Sequence, residues 1–246
     1  MEQLDHMQTE EKRAPEVCLA AVGDLLPAGP PDASLAERAH RRLANVPELL
    51  ADADVVLANL EATLEGGGGR VPTEPQVVTA PAMIQAAIDA GFGVVSLANN
   101  HMFDALDGGF RHMRRLLRDL EVLAFGAGED LAEAASPAIV ACRGLRLAFL
   151  AAADRRSGAP FFAGPGRWGV APWDPDRIEQ QVRDLSSQVH HVIVCPHWGE
   201  ERFSIPAPQQ IRDARRMVDA GASLVIGHHP HVLQGTERYG RGVIAY

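Results

Sequence analysis

The stretch VIGHHPHVLQ, Val225 to Gln234, sets His228, His229 and His231 directly after an apolar run. Similar endings recur along the chain. VCLAAVGD (17–24) closes on Gly23-Asp24, and DVVLANLE (54–61) on Asn59-Leu60-Glu61. GVVSLANNH (93–101) closes on Asn99-Asn100-His101, with Asp104 just beyond, and HVIVCPHWGEE (191–201) runs through His197, Trp198, Gly199 and Glu200. Carboxylate oxygen, amide oxygen and imidazole nitrogen are together the donors of a divalent-metal centre. Two ions roughly 3.5–4 Å apart, sharing a carboxylate, can clamp a phosphoryl group during in-line displacement. Cys18, Cys142 and Cys195 are odd in number and far apart, so a thiolate zinc site and a disulfide framework are not indicated.

Each piece alone has a plainer reading. Gly-Asp after a strand is an ordinary turn, and Asn99 and Asn100 suit turn positions. Trp198 reads as a packing residue, and a single histidine such as His197 as a hydrogen-bonded core residue. Five apolar runs ending in donor side chains argue jointly for one metal site.

Those runs must be strands for the argument to hold. They alternate with helical patterns over 34–50, 81–91, 109–120, 174–189 and 208–220, and further apolar runs cover 145–154 and 242–246. Leu35, Ala39, Leu43 and Val46 share one helix face, as do Ile178, Val182, Leu185 and Val189. Pro81 opens its helix and Gly91 closes it, while Asp174 suits an N-cap before Pro175. Continuous apolar strands alternating with helices specify an α/β fold with a buried sheet, and in open α/β sheets ligands bind beyond the carboxyl ends of strands. Gly66 to Gly69 reads as a flexible loop and residues 156–175, rich in Gly and Pro, as a long surface loop. Residues 1–15 are expected to be a disordered arm and 16–246 a single domain.

The chain has 246 residues, 46% of them hydrophobic, and a net charge of −9. That charge argues against a nucleic-acid partner. Arg111, Arg114, Arg115 and Arg118 lie at helical spacing and read as a solvated face. No segment approaches the ~20 apolar residues of a membrane span, and the N-terminus lacks the apolar core of a signal peptide. A cytoplasmic protein is the expectation.

The segments GDLLPAG, ANLEATL, LANNHMFD, PHWGEE and GHHPHVLQG, with the weaker GAGEDLAEAASP and LRLAFLA, resemble the CapA/PgsA proteins named for poly-γ-glutamate capsule synthesis. That family belongs to the calcineurin-like metallophosphoesterase superfamily. The resemblance implies a four-layer sandwich, two mixed β-sheets flanked by helices, with the site at the loop ends of the sheets. It implies one or two divalent ions (manganese, iron or zinc, with magnesium compatible). By position, Asp24 would hold one ion and Glu61 would bridge. Asn100, His197 and His229 would hold the second ion, and His231 would return to the first. His228 falls outside the His-x-His pairing and is expected to support the ligands from behind or to be structural. His101 would face the substrate as general acid, oriented by Asp104, and a water activated by the ions would attack. Arg155, Arg156 and Arg202 are expected in salt bridges or solvent rather than on substrate.

Three departures accompany the match. The superfamily opens with Asp-x-His, whereas Leu25 and Leu26 follow Asp24, so the first ion position lacks a donor. Asp104 is followed by Ala105 and Leu106 where the family often has Tyr-Gly. Relatives run on beyond the segment matching VIAY, so the chain is expected either to be truncated or to complete its sheet differently. The implied activity is hydrolysis of a small phosphorylated metabolite or biosynthetic intermediate. The alternatives are action on an amide or γ-glutamyl polymer, and a non-catalytic accessory role in poly-γ-glutamate synthesis.

Overall fold

The computed structural model describes residues 15–27, 35–72 and 75–246. The expected N-terminal arm lies outside the described residues except for its last position. One sheet joins β1 (Leu19–Leu25), β2 (Val55–Leu60), β3 (Val94–Ser96) and β4 (Leu123–Phe125), in that order and parallel throughout. The other contains β5 (Ala138–Cys142), β6 (Leu145–Ala153), β7 (His191–His197), β8 (Leu224–Ile226), β9 (Thr236–Tyr239) and β10 (Gly242–Ala245), in the order β9-β10-β8-β7-β6-β5. Its four inner strands are parallel, and β5 and β9 are antiparallel edges.

Helices α1 (Leu35–Arg42) and α2 (Pro81–Asp89) cover the first sheet, and α3 (Leu106–Asp119) packs beside it. Helices α4 (Pro175–Ser186) and α5 (Pro208–Ala220) cover the second. The two-residue period of a strand divides each apolar run between two cores. Val55 and Leu57 of β2 meet Leu147 and Phe149 of β6 and Ile193 and Cys195 of β7 in the layer between the sheets. Their neighbours Val56 and Ala58 face the α2 side with Ala87 and Phe92. Val192 and Val194 face α4 and α5, against Ile178, Val182, Ala214 and Met217. The result is the expected four-layer α/β sandwich, with the difference that only the six-stranded sheet is mixed and the four-stranded one is wholly parallel. Leu57, Phe149 and Ile193 are fully buried, and trimming any one to alanine removes about 2–5 kcal/mol of stability.

Local signals set the boundaries. Asp174 caps α4 by accepting from the Asp176 and Arg177 amides at 3.1 and 3.2 Å. Gly221 ends α5 at φ 119°, where a side chain would be strained. The helix expected over 34–50 is broken into α1 and a short turn, Val46–Leu49. Pro47 supplies no N–H and its ring clashes with the carbonyl four residues earlier, at Leu43, so one continuous helix cannot pass through it, whereas the first turn of a new helix tolerates it. Residues 156–175 are not simply a surface loop. Ala163, Val170 and Ala171 are buried, Gly169–Val170 pairs with Ala127–Gly128, and Trp168 stacks on Phe103 at 5.0 Å. Its aromatic residues anchor it to the α3 core. No helix among the described residues is long and apolar enough to cross a membrane.

Candidate metal centre

The layer between the sheets leads directly to the polar cluster. The inward set Val55, Leu57 continues at Asn59, and the set Ile193, Cys195 continues at His197. The two meet across the sheets, with Asn59 Nδ2 3.3 Å from His197 Nδ1. Asn59 Nδ2 also donates to Asp24 Oδ1 at 2.8 Å, and Asn59 Oδ1 accepts from Asn99 Nδ2 at 3.2 Å. Asn99 in turn donates to the Leu60 carbonyl and accepts from the His101 amide. These bonds fix the ends of β1, β2, β3 and β7 relative to one another.

Glu61 lies at the centre and is 0% exposed. Neither carboxylate oxygen has a hydrogen-bond partner among the described residues. Oε1 stands 3.8 Å from His197 Nε2, 3.9 Å from His101 Nε2 and 3.9 Å from His231 Nε2. Burial first, and then the nearby Asp24 charge, push the Glu61 carboxyl up to about 9. A buried carboxyl with no partner is costly. His229 Nδ1 is a second buried donor-acceptor atom without a partner.

The surrounding donors fall into sets. Glu61, His197 and His229 each offer an atom within 4.8 Å of the others, and so do Asp24, Glu61 and His231. Glu61 is common to both. Asn100 Oδ1 lies 2.9 Å from His197 Nε2 and extends the first set. Asp24 Oδ2 accepts from the His229 amide at 3.1 Å and lies 3.3 Å from His231 Nδ1. Burial lowers the pKa of His197 well below its ordinary value, and that of His229 as well. Both rings are thereby held neutral, the form that binds a cation. His229 at φ 98° and His231 at φ 55° occupy left-handed backbone, a strain found where geometry is imposed by a site. All six residues assigned from sequence to metal positions are thus brought together, and the orphaned Glu61 oxygens and neutral imidazoles suit a divalent cation.

His101 approaches from the side. Its Nδ1 is 2.7 Å from Asp104 Oδ2, which also accepts from the Val77 amide at 2.7 Å. His228 turns away, with Nε2 3.3 Å from the Val22 carbonyl. Trp198 packs edge-on against Trp173 at 4.8 Å. Arg156 is paired with Asp154, and Arg155 covers the Phe162 ring at 4.8 Å. Three residues at the site carried no assignment from sequence: Asn59, Asn99 and Glu201, whose carboxylate groups with His229 and His231. The strand parity of Asn59 with Leu57 was the available signal for the first.

Residues 18–246 match the family described as "Bacterial capsule synthesis protein PGA_cap". A capsule biosynthesis protein CapA of Bacillus anthracis is 34% identical over 167 residues, covering 66% of this chain and 40% of that protein. A PGA biosynthesis protein CapA of Bacillus subtilis is 32% identical over 201 residues, covering 78% of this chain and 51% of that protein. The chain spans about half the length of the curated relatives it matches. Among solved structures, the Haemophilus influenzae NAD nucleotidase NadN aligns with TM-score 0.52 at 15% identity, covering 80% of this chain and 33% of that one. A hypothetical protein from Thermus thermophilus aligns with TM-score 0.54 at 16% identity, covering 92% and 74%. These likenesses show that the chain shares the fold of those two proteins. The chain belongs to the PGA_cap family of bacterial capsule synthesis proteins.

Proposed function

We propose that the chain is a metal-dependent hydrolase that cleaves a phosphate ester of a small metabolite or biosynthetic intermediate. The observation that supports this reading is the buried, unpartnered Glu61 carboxylate between His197, His101 and His231. Asn100, His197, His229 and Glu61 would hold one divalent ion, and Asp24, Glu61 and His231 another. Such ions polarise a phosphoryl oxygen and acidify a water at neutral pH. The chain's own residues do the rest. Asp104 fixes the orientation of the His101 ring through Nδ1, so that Nε2 would be the atom that passes a proton to the leaving oxygen. Asn59 and Asn99 hold Asp24 and His101 in register. Purified protein given Mn²⁺ should hydrolyse an aryl phosphate, and His229→Ala should abolish this. Full activity in excess chelator would overturn the reading.

A second reading keeps the same residues and changes the bond. The names of the Bacillus relatives favour it, since both are described by capsule or PGA biosynthesis. The centre would then polarise the carbonyl of a γ-glutamyl amide, or serve an accessory protein that binds the polymer. A panel of phosphate esters against γ-glutamyl amides separates the readings by which class is turned over.

A further inference from the structure

Glu201 stands outside the ligand set given above. It is exposed, and an exposed carboxylate near histidines is not by itself a site. Here its carboxylate, His229 and His231 each offer a donor atom within 4.8 Å of the others. The segment that carries it is pinned on both sides. The Trp198 amide donates to the His228 carbonyl at 3.0 Å, and the Arg202 amide donates to the Pro230 carbonyl at 2.7 Å. Glu201 lies between these two bonds, so its backbone is fixed against the His229–His231 loop. The turn is also committed conformationally. Gly199 has φ 93°, and an added Cβ would come within 2.8 Å of the Gln210 side chain. Arg202 has φ 64° without being glycine.

An independent observation points to a ligand between these groups. His229 is 4% exposed, and its Nδ1 has no partner among the described residues. The two ion positions are also unequal. The one served by Glu61, His197 and His229 has Asn100 as a further donor. The one served by Asp24, Glu61 and His231 has no fourth donor from Leu25 or Leu26.

We propose that Glu201 is a third carboxylate of the centre, closing it from the solvent side where His229 and His231 meet. This rests on the metal reading above. Three carboxylates against two dications leave a net charge of one, which still favours a phosphate or carboxylate substrate. Neighbouring Glu200 is a natural control, because its carboxylate belongs to none of the donor sets that close on the histidines.

The test is calorimetric titration of metal-free wild type, Glu201→Gln, Glu201→Asp and Glu200→Gln with Mn²⁺, with bound metal counted by elemental analysis. Thermal melts of the metal-free proteins check that each variant is folded, which exposure of both glutamates favours. Wild type should take two ions. Glu201→Gln should bind one of them at least about tenfold more weakly and leave the other unchanged, Glu201→Asp should recover part of the loss, and Glu200→Gln should match wild type. Two ions bound by Glu201→Gln with wild-type affinity overturn the assignment of Glu201 alone. No ion bound by wild type overturns the metal reading, and with it this proposal.

Discussion

The two ends of the layer between the sheets hold similar side chains and treat them in opposite ways. At the amino ends of the strands, Asp54 accepts from the Cys18 amide at 2.8 Å and from Arg143 at 2.6 Å, and His191 meets the Ser223 hydroxyl at 3.0 Å. These residues line a cavity of about 710 Å³. At the carboxyl ends, Asp24, His229 and His231 line a cleft of about 530 Å³, and next to them both Glu61 oxygens and His229 Nδ1 lack partners. The Cys18 amide holds the Asp54 carboxyl below its ordinary value, whereas burial pushes Glu61 up to about 9. The larger cavity is the satisfied one. What distinguishes the carboxyl end is buried polarity left unpaired, not polarity or volume.

Mutation should break the two ends differently. The largest effect is expected from Glu61→Gln, which should reduce metal-dependent turnover to background while the protein stays folded, as read by aryl phosphatase assay and circular dichroism. Next, His101→Ala should slow turnover about 10²–10⁴-fold with metal content unchanged. Asp104→Asn should cost less than His101→Ala, because the ring remains and only its orientation is weakened.

Stability against pH sharpens the contrast. The folded pKa of Glu61, about 9, exceeds its unfolded value near 4.5. Its contribution to stability is therefore fully present below the unfolded pKa and is lost as pH rises toward 9. Denaturant melts of metal-free protein should show stability falling between pH 5 and about 9. Glu61→Gln should flatten that slope, and saturating Mn²⁺ should remove it. Asp54 has the opposite sign. Its folded pKa is lowered, so its contribution is present above the unfolded value and disappears as pH falls through the folded one. Asp54→Asn should accordingly be slightly less stable than wild type at pH 7, converge with it in acid and keep full activity. A loss of turnover in Asp54→Asn would erase the distinction between the ends.

Much of the site was legible because ligands follow apolar runs. Asp24 stands one residue before the end of its strand, and Glu61, Asn100, His197, His229 and His231 end a strand or follow one, where the chain leaves the hydrophobic layer. Asn59 was given no role although, like Asp24, it stands one residue before the end of its strand; its parity with Val55 and Leu57 places it inward. Glu201 was hidden for a different reason. Its approach to His229 depends on bonds between two loops, Arg202 to Pro230 and Trp198 to His228, which no local spacing encodes. In the fold, long buried runs such as β6 and β7 were plain. The short β4, β5 and β9 were not, because three to five residues of mixed exposure carry little periodicity. The division into two sheets followed from the family resemblance, since apolar runs do not state which strands pair.

The central claim is that Glu61 is buried without partners because it shares cations with the surrounding histidines. The most direct test is elemental analysis of wild type and Glu61→Gln, both purified without chelator and dialysed against trace Mn²⁺. The account predicts bound divalent metal in wild type and a marked loss in Glu61→Gln. Wild type free of metal, or equal metal in the two proteins, would contradict it.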